Sequence, residues 1–149
     1  MSHEMGFLFA TALAGGLVLL TALIHYEVLR FLSDWVPTLV IVPRVRILVA
    51  IIGVFVAHTI EVWVFALAYF GLDVLWDVGA FVGDTSGHLF DYVYFSVVVY
   101  TSLGFGDIVP MAHTRLLSGV EALTGLVMIG WSASFTYLMM ERFWPLHRR

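Results

Sequence analysis

Three long apolar runs constrain this chain more than any other feature. A helix needs about 20 mainly apolar residues to cross a bilayer. Residues 5–32, 44–72 and 114–142 each reach that length. They are read as a first, an outer and an inner transmembrane helix of an all-α membrane protein. Composition agrees: 61% of the residues are hydrophobic and 12% charged, far from a soluble globular chain. With no cysteine there is no disulfide scaffold and no thiolate metal site. The formal charge is −4, and no basic run points to nucleic acid. Residues 1–149 leave little length for a soluble domain, so one membrane domain is expected. A ligand-sensing module would belong to a separate cytoplasmic regulator.

The first run resembles the apolar part of a signal peptide. It lacks a basic leading segment, since Glu4 is the fixed side-chain charge before it, and no clean cleavage site follows. It is read as a retained helix. Ala12, Ala14, Gly15 and Gly16 give it a small-residue face for close packing, expected against the outside of the outer helix. Pro37 and Pro43 suit a short turn before the outer helix.

The connection from Asp73 to His113 opens with turn residues and acids, then becomes apolar over 90–100. That apolar stretch is too short to span. Its β-branched content favours a strand, but an open strand edge in lipid would leave backbone groups unpaired. A re-entrant helix over about 90–101 is therefore expected. Arginines flank the first connection (Arg30, Arg44, Arg46) and the last helix (Arg142, Arg148, Arg149), while aspartates dominate the connection between. The positive-inside rule then places the N-terminus outside and the C-terminus in the cytoplasm of a multi-pass protein in the cell membrane. Asp73, Asp77, Asp84 and Asp91 would concentrate cations at the outer face.

After the re-entrant segment comes Thr101-Ser102-Leu103-Gly104-Phe105-Gly106-Asp107. Alternating glycines permit left-handed backbone angles that side chains disfavour. Such a backbone can aim successive carbonyls at a common axis, where they replace the water around a dehydrated cation. Together with Tyr94-Phe95 before it and Asp107-Ile108-Val109-Pro110 after it, this segment resembles the potassium-channel pore family, whose filter reads T-x-G-Y/F-G-D. The resemblance covers about residues 90–140 and leaves the first helix outside. It implies a homotetramer in the lipid bilayer around a filter at 102–107. K+ is the transported ion, held at Ser102, Leu103, Gly104 and Phe105, with Gly106 completing the ion-binding segment. Thr101, Asp107, Tyr94 and Phe95 would support the filter. Val98 stands where some relatives carry a glutamate partner for the aspartate after the filter, so Asp107 needs another partner. Gly125 and Gly130 are hinge candidates for a gate on the inner helix. No enzyme chemistry and no bound cofactor are implied. The small form resembles prokaryotic two-span channels with an extra N-terminal helix.

Among the ionisable residues within the spans, His25, His58, Glu61 and Glu121 stand out. His58 and Glu61 share a helix face. A rise of about 1.5 Å per residue brings His25 level with His58, and Glu61 toward Glu121. Such groups are costly in lipid and face partners. Three readings stay open: interhelical hydrogen bonding, a proton sensor, or a metal site. Two alternatives to a potassium channel accompany them. One is a non-selective monovalent cation channel on the same scaffold, motivated by Ser102 and Leu103. The other is a non-conducting regulatory or metal-sensing membrane subunit, motivated by the buried histidines and glutamates.

Overall fold

The computed structural model describes residues 3–76 and 79–143. Three helices are long and apolar enough to cross a membrane. They are α1 (His3–Trp35), α2 (Pro43–Phe70) and α4 (Thr114–Phe143). A short helix, α3 (Leu89–Tyr100), lies between α2 and α4 in sequence and packs against both. Strands β1 (Gly79–Gly83) and β2 (Ile108–Ala112) pair antiparallel, with Phe81 opposite Pro110.

Local sequence sets the boundaries. Pro37 lies in a 3-10 turn over Val36–Thr38, and Pro43 opens α2, where its missing N–H costs nothing. The Asp91 carboxylate closes the start of α3 by accepting from the Ser86 amide and hydroxyl, both at 2.8 Å, and the His88 amide at 3.2 Å. A carboxylate there also suits the positive end of the helix dipole. The Ser86 side-chain bond is the main reason the Asp91 carboxyl sits below its ordinary range.

The interior is layered. Near the β-ribbon, Tyr69 of α2, Tyr92 and Phe95 of α3 and Phe81 of β1 meet edge to face, with centroids 5.0–5.7 Å apart. Such offset contacts suit the ring quadrupoles. At the opposite end Leu29, Leu32, Val36, Ala50, Val54 and Met139 form a second apolar cluster. Arg46 and Arg142 lie beyond it: Arg46 donates to the Leu39 carbonyl and lies over the Phe143 ring, and Arg142 reaches the Ser33 carbonyl. The first connection and the end of α4 are thus at one end, and the β-ribbon is at the other.

The structure corrects several expectations. α1 does not lie only outside α2; it packs against α2 and α4 alike. Of its small-residue face, Ala14 is buried, while Ala12, Gly15 and Gly16 are exposed on the single chain. The opening of the 73–113 connection, read as turn residues and acids, carries strand β1. Phe81 and its strand were invisible in sequence because Gly79 and Gly83 read as turn residues, whereas pairing with a partner strand decides the conformation. Asp73 is not a free solvated acid, because the Tyr92 hydroxyl donates to it. Asp91 is occupied as the cap, and Asp84 is exposed. Asp77 lies outside the described residues.

Gly125 of α4 meets the end of α3. A Cβ at this position would collide with the Tyr100 carbonyl, so the two helices touch backbone to backbone. Gly130 has open space around it in the single chain. Gly125→Ala is expected to cost about 1–3 kcal/mol by overpacking, whereas Gly130→Ala leaves stability of the isolated chain unchanged. Unfolding in lipid–detergent bicelles would measure both, and equal effects would contradict this packing.

Candidate functional site

Two buried polar clusters and one exposed loop converge on α3. The loop begins where α3 ends. The Ser102 amide donates to Val99, and the Leu103 and Gly104 amides both donate to the Val98 carbonyl, at 2.9 and 3.4 Å. These bonds turn the chain sharply away from the helix axis. The Thr101 hydroxyl bonds back to Val97 at 2.8 Å. Ser102, Gly104 and Gly106 then take positive φ of 58°, 60° and 80°. Leu103 and Phe105 between them do not, so handedness alternates residue by residue. Among the backbone bonds around this turn, none is accepted by the carbonyls from Ser102 to Phe105. Every residue from Thr101 to Asp107 is exposed on the single chain, Leu103 at 57% and Phe105 at 65%. Ser102 adopts its left-handed angle without being glycine, which costs on the order of 1–3 kcal/mol and persists only where the surroundings enforce it.

Asp107 ends the loop. Its Oδ2 accepts from the Tyr94 hydroxyl at 2.6 Å, and its Oδ1 from the Ile108 amide at 3.1 Å. Tyr94 is therefore the partner that Val98 does not supply. The Tyr94 bond is the chief cause holding the Asp107 carboxyl below its usual range, and the same bond pushes the Tyr94 phenol up. The Asp107 carbonyl also accepts from the Asp84 amide at 3.0 Å, fastening the loop to the end of β1. Phe95, next to Tyr94, points the other way into the aromatic layer.

The first polar cluster joins all four helices. Glu61 Oε1 meets His25 Nδ1 at 2.8 Å, and Glu61 Oε2 accepts from the Tyr100 hydroxyl. That hydroxyl also meets His58 Nδ1 at 2.8 Å. Ser132 Oγ lies 3.2 Å from His25 Nε2 and 3.0 Å from His58 Nε2. His25 and Glu61 are fully buried. Sequence placed His25 and His58 at one depth, and their rings are 5.2 Å apart. It missed Tyr100 and Ser132, which complete the cluster. Nothing in a serine of α4 or in a tyrosine at the end of an apolar run marks it as a hub.

Glu121 is not in this cluster. It lies against Ser96 Oγ at 2.5 Å and accepts from the Tyr69 hydroxyl at 2.6 Å. Ser96 has one hydroxyl proton but faces two acceptors, the Val62 carbonyl at 2.9 Å and Glu121. Both contacts are hydrogen bonds if Glu121 is protonated and donates to Ser96. Glu61 and Glu121 thus hold separate partners, contrary to the pairing suggested by helix rise. Among the described residues no buried side-chain N or O lacks a partner. Interhelical bonds of this kind contribute about 0.6 kcal/mol each on average in membrane proteins.

Two imidazoles and a carboxylate, within 4.8 Å of one another, are a donor set that zinc accepts. All four imidazole nitrogens here are already hydrogen-bonded. An ion bound here would have to displace those bonds.

A protein-family model described as "Ion channel" matches residues 44–142, from the start of α2 to the end of α4. The chain belongs to this ion channel family and is a multi-pass membrane protein. No curated protein and no solved structure matches it. α1 precedes the matched region, yet its His25 is built into the cluster that reaches α3.

Asp107 gives a pH-dependent prediction. Because its carboxyl is depressed, the contribution of the Tyr94 bond is present above the ordinary aspartate range and is lost as pH falls through the lowered value. Tyr94→Phe should raise the Asp107 titration midpoint toward the ordinary range. Infrared titration of the carboxylate band, with Asp107→Asn to assign it, measures this. An unchanged midpoint would mean that the bond does not form in the membrane.

Proposed function

We propose that the protein is a potassium-selective channel, formed by four copies of the chain around a filter made from Ser102 to Gly106. The observation that carries this reading is the alternation of backbone handedness at Ser102, Gly104 and Gly106. Alternation of this kind directs successive carbonyls to one side of the chain. With no donor of the turn meeting them, they are free to face a cation and replace its hydration shell.

One such loop covers only one side of an ion. The exposure of Leu103 and Phe105 on the single chain supports neighbouring copies that bury them. In the tetramer Ser102, Leu103, Gly104 and Phe105 would hold K+, with Ser102 adding its hydroxyl at the inner end. The C-terminal end of α3 carries the negative pole of its dipole and lies beside the filter, which favours a cation there. Ions would pass in single file by repulsion between adjacent sites. The Tyr94–Asp107 and Asp84–Asp107 bonds hold the outer end of the loop in place.

Orientation follows from charge. Arg30, Arg44, Arg46 and Arg142 gather at the end away from the loop. The positive-inside rule puts that end in the cytoplasm and the N-terminus outside. Gly130, unhindered in the single chain, is the hinge candidate on α4, because Gly125 is committed to Tyr100.

The test is ion flux into liposomes carrying the purified protein, with Gly104→Ala as control. Gly104 sits at a φ of 60°, which an added Cβ disfavours. Flux that prefers potassium over sodium and drops at least tenfold in the variant is expected. Flux with equal preference would replace this reading with a non-selective cation channel. Equal flux through Gly104→Ala would remove Ser102–Gly106 as the conducting segment.

A further inference from the structure

The His25–Glu61–Tyr100–His58–Ser132 cluster is a closed ring, and its protons can be counted. Five hydrogen bonds join the five side chains in a cycle. Each bond needs one proton between its two heavy atoms. The Tyr100 and Ser132 hydroxyls bring one each, and each neutral imidazole brings one. An ionised Glu61 brings none, so the total is four. The ring closes completely only with a fifth proton, carried by Glu61 or by an imidazolium facing the Glu61 carboxylate. With that proton the five groups are uncharged as a set. Without it they hold one negative charge among the spans, and at one contact two acceptors face each other. A net charge in lipid is costly, and so is a buried acceptor with no donor.

We propose that this ring is a binding site for one proton per chain, whose occupancy sets how firmly Tyr100, and with it the start of the 101–107 loop, is held. Tyr100 is the lever. Its hydroxyl belongs to the ring, its carbonyl packs on Gly125, and Thr101 follows directly. Losing the fifth proton opens one of the five bonds of the ring in which this hydroxyl is held.

The groups facing the ring are few. α1 supplies His25, α2 supplies His58 and Glu61, and α3 supplies Tyr100. α4 supplies Ser132, with the Trp131 ring 5.3 Å from His25. Glu121 of α4 acts on Tyr100 electrostatically while bonded to Ser96 and Tyr69. His58 Nδ1 lies 3.5 Å from Glu61 Oε2, so the carboxylate sits between both imidazoles and the extra proton is shared within the set. Interacting groups of this kind titrate as a unit. A proton completes the ring, whereas a metal ion would have to open it.

The site does not depend on which ion the channel conducts, and its first readout does not require conduction. The protein, with its histidine rings labelled with nitrogen-15, is reconstituted in lipid bilayers and followed by NMR across pH. His25 and His58 signals are assigned by replacing each in turn. The expected result is a single step in which both residues respond with one midpoint. Glu61→Gln brings two amide N–H groups, one of which fills the fifth bond with both imidazoles neutral. The step should vanish and the ring remain closed at every pH. Separate midpoints for His25 and His58, no step over the pH range of the folded protein, or a step that persists in Glu61→Gln would each overturn the proposal. Stoichiometric zinc that shifts both histidine signals would overturn it in favour of a metal site. Ion flux is the second readout: it should change over the same pH window in the wild type and be flat in Glu61→Gln. A protein that shows the step but no flux at any pH would count against the pore reading alone.

Discussion

The hydrogen bonds that meet at the Tyr100 hydroxyl are the constraint on which the rest of this structure depends. Glu61 and His58 of α2 reach it directly, and His25 of α1 and Ser132 of α4 reach it through them. In a membrane, packing apolar helices against one another gains little from leaving lipid, so polar contacts and close backbone approach decide which helices associate. Both devices act at this residue, because the Tyr100 carbonyl also rests on Gly125. The short helix α3 has too few residues to anchor itself across a bilayer. It is positioned by what grips its C-terminal end, and the 101–107 loop inherits that position.

The opposite end of the loop is held by different chemistry. Asp107 is exposed, and its partners are Tyr94, the Ile108 amide and the amide of Asp84. A solvated tyrosine–carboxylate bond is weaker and more easily exchanged than a buried ring. The loop is thus fixed firmly on its buried side and more lightly at its outer side. β1 and β2 add stiffness there, with Phe81 inserted among Tyr69, Tyr92 and Phe95.

Much of this was legible in the residues, for specific reasons. The spans could be read because run length and hydropathy are local properties. α3 was legible because lipid excludes an unpaired strand, a stronger rule than the strand preference of Val97, Val98 and Val99. The glycine alternation announced the left-handed backbone at Gly104 and Gly106, though not at Ser102, where context imposes it. What sequence could not supply was partnership between distant elements. The pairing of Gly79–Gly83 with Ile108–Ala112 joins weak strand formers. The exchange of Glu121 from Glu61 to Ser96 and Tyr69 depends on helix rotation, which rise per residue does not encode. The inward position of α1 depends on His25 finding Glu61 and Ser132, a match visible only once three helices are assembled.

The proposed function requires four chains to present Ser102 to Gly106 to a shared axis occupied by cations. The measurement that tests it most directly is electron density of the purified assembly in bilayers or detergent, with thallium replacing potassium. Fourfold symmetry and strong anomalous peaks on the axis, level with the Ser102 to Phe105 carbonyls, are expected. An assembly in which these loops face lipid or one another with no ion between them would contradict it.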